Sequence, residues 1–134
     1  MDNKSIMAII AVVVVVEIIL AGAVVYGMSG HGQEDGYTLY IGLNDSITHE
    51  DYDPEEAAGW VDAIILKYAG GLTRYDANGA YTYDDGTIAY EKSLVYYLTD
   101  ISIEDVHKIC DEVKELLHQS SILISVTKQS SEFY

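Results

Sequence analysis

Five side chains between positions 74 and 91 are of types that can do chemistry together: Arg74, Asp76, Asn78, Tyr81 and Glu91. A guanidinium recognises anions, and a carboxylate taken partly out of water can hold or pass a proton near neutral pH. Arg74, Asp76 and Asn78 alternate, so on an extended strand they share one face, and Glu91 falls on the following arm within reach of a cross-strand pair. With Tyr81 beside them, these five are the candidate ligand-binding set. The plainer reading of the same residues is a solvated strand face whose ion pairs are each worth under about 1 kcal/mol.

No other chemistry is written as clearly. The chain has no nucleophile elbow, Walker loop, glycine-rich dinucleotide turn or HExxH motif, so no catalytic residue and no cofactor is expected. "NDSITHEDYDPEE", Asn44 to Glu56, gathers oxygen ligands that suit calcium. It lacks the EF-hand spacing, with Glu56 standing where a loop begun at Asp51 needs glycine, and helix capping by Asp53 accounts for much of its acid content. His49, His107 and His118 lack metal-ligand spacing, so no metal is expected. Cys110, the single cysteine, rules out an internal disulfide and lies on an apolar stripe where a small buried thiol is inert.

The balance of charge limits partners. The 134 residues carry a net charge of -15, and setting aside Asp2, Lys4 and Glu17 leaves -14 on the part beyond Ser29. Such a surface repels phosphate backbones, which argues against nucleic acid and for cations or basic proteins.

Ahead of that acidic part, Ile6 to Gly27 is interrupted only by Glu17 and the amphipathic Tyr26. As a helix it spans roughly 33 Å, the thickness of a hydrocarbon core. Its many Ile, Leu and Val residues gain about 4 to 8 kcal/mol on insertion, more than the roughly 3 that a central acid costs, so Glu17 enters neutral or turned toward a polar partner. We therefore expect residues 1–28 to be a transmembrane anchor in contact with lipid through 6–27; an uncleaved signal and cleavage after Ala23 in "LAGA" are the alternatives. Lys4 before the span and the acids after it place the N-terminus in the cytoplasm and the C-terminal domain outside the cell. Residues 29–36, "SGHGQEDG", are expected to be a flexible tether.

Periodicity then outlines a domain over 37–127. "YTLYIGL" alternates and predicts a strand. Asp53 as N-cap, Pro54 at the first helical position and Gly70-Gly71 as a stop bound a helix with Ala57, Val61, Ile64, Ile65 and Tyr68 on its buried stripe. Two arms, Leu72 to Tyr83 and Thr87 to Leu98, turn at "DDG", and a bulge is expected at Gly79. Ser102 caps a second helix that buries Val106, Ile109, Cys110, Val113, Leu116 and Leu117. Ser121 to Val126 is a last strand, and residues 128–134 a loose tail.

The order β-α-β-β-α-β predicts a ferredoxin-like α+β domain, a four-stranded antiparallel sheet with two helices on one face. Tyr75, Tyr81, Tyr83, Tyr90, Tyr96 and Tyr97 cluster on the hairpin, so about half face away from the helices. An uncovered aromatic face points to a homodimer through the sheet, or to a ligand platform.

The segment "GLTRYDANGAYTYDDGTIAYEKS", Gly71 to Ser93, resembles the central motif of the family named domain of unknown function 3574. Gly71, Leu72, Thr73, Asp76, Ala77, Gly79, Glu91 and Ser93 match it, and Tyr81 stands where that family usually has tryptophan. The resemblance implies a small ferredoxin-like domain and no established activity. Together these readings predict a single-pass, membrane-anchored, extracytoplasmic binding or interaction module, the alternative being a small enzyme with its site near Asp76 and Glu91.

Overall fold

A computed structural model describes Ser5, Ile6, Glu17, Ile18, residues 33–132 and Tyr134. Ser5, Ile6, Glu17 and Ile18 are helical and exposed, and the remainder of the apolar run expected to cross a membrane lies outside the described residues. Among the described residues no helix is long and apolar enough to cross one.

Glu34–Gln129 forms one compact unit. Its elements run β1 (Glu34–Gly42), α1 (Pro54–Ile65), β2 (Thr73–Thr82), β3 (Ile88–Leu98), α2 (Ile103–Leu116) and β4 (Leu123–Gln129). The strands lie in the order β2-β3-β1-β4 and every neighbouring pair is antiparallel, which is the ferredoxin-like α+β arrangement expected from element order.

Local chemistry explains where the helices start. The Asp53 carboxylate accepts from Glu56 N–H at 3.0 Å, Pro54 follows at the first position, and the Ser102 hydroxyl accepts from Asp105 N–H at 3.1 Å. Alternation explains which face they cover. Tyr37, Leu39, Ile41 and Leu43, followed on β3 by Leu94, Tyr96 and Leu98, are buried against Val61 and Ile65 of α1 and Val106, Ile109 and Val113 of α2. Both helices therefore cover one side of the sheet, and Thr38, Tyr40 and Gly42 with Glu91, Ser93, Val95 and Tyr97 form the open side.

Four expectations are corrected. The β2-β3 ladder runs unbroken from Thr73 opposite Tyr97 to Thr82 opposite Ile88, so there is no bulge at Gly79. That glycine instead faces Glu91, where a Cβ would come within 3.1 Å of Ser93 Oγ. The hairpin turns where expected, with Gly86 at φ +85° and the Asp85 carboxylate accepting from Thr87 N–H at 2.8 Å. Part of the presumed tether and tail is strand: Glu34 pairs with Gln129 and Asp35 with Lys128, the latter also an ion pair at 2.6 Å. Helix α1 stops at Ile65, ahead of Gly70, and a tighter turn carries the chain to Ala69. Leu116 is 41 % exposed because Leu117, one residue on, occupies the core position.

One polar contact bridges the helix layer and the sheet. The Tyr96 side chain is fully buried and its hydroxyl donates to Asp62 Oδ1 at 2.6 Å, while Arg74 lies 3.6 Å from the other Asp62 oxygen. Burial, then the Asp62 hydrogen bond, raises the Tyr96 phenol well above its ordinary value. Replacing Tyr96 with Phe is expected to lower the unfolding free energy by about 1–2 kcal/mol in urea with the slope unchanged. A change below about 0.3 kcal/mol would show that the contact contributes nothing.

Candidate functional site: an open-face cleft over Glu91

Antiparallel pairing keeps directly opposed residues on one face, and that parity divides the candidate set. Arg74, Asp76 and Asn78 of β2 oppose Tyr96, Leu94 and Lys92 and lie on the helix side. Tyr81 and Glu91 oppose Ala89 and Gly79 and lie on the open side. The structure brings each subset together and keeps the two apart.

The helix-side subset is engaged in structural pairs. Arg74 sits among Glu55 at 3.8 Å, Asp62 at 3.6 Å and Asp76 at 3.8 Å, joining β2 to α1. Asn78 Oδ1 accepts from Lys92 Nζ at 2.9 Å. Cys110, on α2, is buried, and burial pushes its thiol up to about 11, which leaves it protonated and inert.

The open-side subset forms part of a cleft of about 540 Å³. Gly42 and Glu91 line it together with Tyr40, Tyr81, Tyr83 and Leu123, and two loops contribute Asn44, Ser46 and His49 on one side and Gln119, Ser120 and Ser121 on the other. Glu91 leans across β1 at Gly42, so closely that a Cβ there would lie 2.8 Å from each carboxylate oxygen. Only glycine leaves that space. Burial raises the Glu91 carboxyl above the usual carboxylate range; a hydrogen bond from Asn44 N–H works against the shift and the nearby Asp51 charge adds to it. At the rim the Tyr81 and Tyr83 hydroxyls are 2.7 Å apart, and their rings meet edge to face with centroids 4.9 Å apart.

Asp45 sets the two loops. Its carboxylate is 5 % exposed and accepts from Ile47 N–H at 2.7 Å, Thr48 N–H at 3.1 Å and the Tyr52 hydroxyl at 2.7 Å, with His118 Nδ1 at 2.8 Å. The Tyr52 and His118 hydrogen bonds together hold the Asp45 carboxyl far below its ordinary value, and burial with the Asp45 bond pushes the Tyr52 phenol up to about 12. Ser46 donates to the His118 carbonyl, and Gln119 Nε2 donates to the carbonyls of Asn44 at 2.7 Å and Leu117 at 3.2 Å. His49 and His118 take left-handed backbone, φ 60° and 49°, His49 with its N–H bonded to the Asp45 carbonyl at 2.8 Å and His118 held by the contacts above.

Sequence reasoning found Tyr81 and Glu91 and missed Tyr40, Gly42, Asn44, Tyr83 and Gln119. Gly42 carried a signal, since a lone glycine in an alternating strand marks a close approach. The meeting of Asn44 and Gln119 depends on tertiary structure and carried none.

The geometry defines a small ferredoxin-like domain with an aromatic, carboxylate-bearing cleft on its uncovered face. No protein-family model matches the chain, and no curated protein matches it in sequence. Among solved structures it is similar to a phage SAM lyase in complex with S-methyl-5'-thioadenosine, at 21 % identity and a TM-score of 0.56, covering 77 % of this chain and 94 % of that one. The same lyase in its apo state aligns at 20 % identity and a TM-score of 0.53, covering 76 % and 93 %. The divalent ion tolerance protein CutA1 from Ehrlichia chaffeensis aligns at 12 % identity and a TM-score of 0.49, covering 75 % and 86 %. The lyase likeness is one of fold.

A test of the Asp45 node follows from its sign. A carboxyl whose folded value lies below its unfolded value of about 3.9 contributes stability that is complete above that pH and is lost as pH falls toward the folded value. Asp45→Asn is therefore expected to melt several degrees below the wild type at pH 7, with the gap narrowing below about pH 4 in calorimetric scans. A gap that persists unchanged to pH 2 would show that charge plays no part in it.

Proposed function

We propose that this chain is a small-molecule-binding module: a ferredoxin-like domain that holds its ligand in the open-face cleft over Glu91. One observation carries the reading, the seating of a partly desolvated carboxylate on a glycine within a cleft rimmed by tyrosines. The volume is that of ordinary ligand sites, and convergent polar groups within aromatic walls are their usual makeup. A flat, unphosphorylated molecule fits the tyrosine rim and the net charge. The phage SAM lyase adds support, since a protein of this fold and similar size holds S-methyl-5'-thioadenosine.

The reading includes three further proposals. The apolar run over residues 6–27 anchors the module in a membrane, with the acidic domain extracytoplasmic. Copies associate through the rest of the open face, where Tyr75 is 57 % exposed. The Gly71 to Ser93 residues tie the chain to the domain of unknown function 3574 family. A second reading, an enzyme using Glu91 as its acid–base group, is favoured by the raised carboxyl and differs in consuming its ligand. Asp76, on the other face of the sheet, has no part in it.

Calorimetric titration with S-methyl-5'-thioadenosine is expected to show saturable binding. Gly42→Ala should weaken it by about tenfold or more, because the new Cβ displaces the Glu91 carboxylate, with little change in melting temperature since the displaced group ends a flexible side chain. Equal binding by both proteins would place the site elsewhere, and absence of saturable heat to millimolar ligand would remove the thioadenosine class. For the anchor, full-length protein is expected to sediment with membranes and to be released by detergent rather than high salt. Its appearance in the aqueous fraction with its N-terminus intact would remove that part of the proposal.

A further inference from the structure

Where the domain places its positive charges shows what the cleft lacks. Glu34–Gln129 contains six lysine and arginine side chains, Lys67, Arg74, Lys92, Lys108, Lys114 and Lys128. Each is committed outside the cleft: Lys67 to Glu112, Arg74 to Asp62, Lys92 to Asn78, Lys108 to Asp105, Lys114 to Asp111 and Lys128 to Asp35. Among the described residues no lysine or arginine lines the cleft, and none pairs with Glu91. A carboxylate seated between a glycine and a ring-lined wall thus keeps one backbone donor, Asn44 N–H, and, among the described residues, no lysine or arginine partner.

We propose, resting on the reading of this cleft as a ligand site, that the ligand is a small organic cation of the ammonium class, its charge held between the Glu91 carboxylate and the tyrosine ring faces. Three observations converge on the sign of that charge. A partly dehydrated carboxylate without a counter-ion gains more from a cation than from a neutral donor. Tyr40, Tyr81 and Tyr83 present exposed rings in the same cleft, and aromatic faces attract ammonium groups. Asp51 adds negative potential at Glu91, and the chain as a whole is strongly acidic, so an anion meets repulsion on approach and in place. The hydroxyls of Ser46, Ser120 and Ser121 and the Gln119 amide supply neutral polar contacts for the rest of the molecule, and His49 contributes an imidazole.

The test compares matched probes on the whole protein. Choline and 3,3-dimethylbutan-1-ol have nearly the same shape and differ in charge; benzyltrimethylammonium adds a ring, and adenosine 5'-monophosphate is the anionic control. Binding is followed through the amide resonance of Asn44 and by calorimetry. Benzyltrimethylammonium is expected to bind and choline to outcompete its neutral counterpart by about tenfold, with adenosine monophosphate silent. In Glu91→Gln that preference should fall to about one, a change that mere loss of stability does not produce because both probes are read on the same protein. Equal binding of choline and dimethylbutanol, or a preference unaltered in Glu91→Gln, overturns the inference. Binding of S-methyl-5'-thioadenosine without any cation preference would keep the ligand site and discard its charge class, whereas silence of every probe would discard both.

Discussion

The Asp45 carboxylate holds the open end of the domain in shape. A nearly inaccessible negative charge in so acidic a chain is unfavourable unless donors surround it, and here two backbone N–H groups, a phenol and an imidazole do so. Those donors come from the loop after β1, from the approach to α1 and from the end of α2, so one side chain locks three segments. The lock places Asn44, whose carbonyl takes Gln119 and whose N–H reaches Glu91. Geometry passes from Asp45 through Asn44 to the carboxylate over Gly42.

The two carboxylates differ because their donors differ. Asp45 is over-supplied and stays ionised; Glu91, with burial opposed mainly by a single backbone donor, is raised. Their contributions to stability consequently slope in opposite senses with pH. Charge held down at Asp45 supports the fold at neutral pH, whereas ionising Glu91 detracts from it as pH rises above the unfolded carboxylate value of about 4.3. The fold keeps a carboxyl that burial disfavours in its charged form while committing the six lysine and arginine side chains of the domain elsewhere.

Much of the architecture was legible because it rests on local chemistry. Asp53 and Ser102 cap the two helices, Gly86 turns the hairpin, and alternation along Tyr37 to Leu43 marks the covered face. The candidate site was half legible, and the reason is parity. A bulge at Gly79 would have flipped every later residue of β2 and put Tyr81 on the face of Arg74. With the ladder unbroken, Tyr81 stays on the face of Glu91, away from that of Arg74. Strand ends were misread for another reason: Glu34 and Gln129 look like tether and tail in isolation and become strand only by pairing with each other. The apolar run expected to enter a membrane lies almost wholly outside the described residues.

The cleft has its origin in strands of unequal reach. β1 pairs with β3 only as far as Gly42 opposite Ser93, while β2 and β3 continue together to Thr82 and Ile88. Beyond Ser93 the hairpin overhangs both the sheet and the helix layer, which is why Tyr90, on the helix side by parity, is 78 % exposed. After Gly42 the chain leaves the ladder with a last bond from Leu43 N–H to the Lys92 carbonyl at 3.0 Å and turns into the Asp45 loop. The departing loop and the overhanging hairpin therefore diverge from a common point, and Glu91 is the first open-side residue of β3 beyond it. A carboxylate at that point has no flanking β1 residue opposite it, so it folds back over the last small one, Gly42, while Tyr81 and Tyr83 face it from the hairpin. Loop, carboxylate and aromatic rim thus follow from where one strand stops.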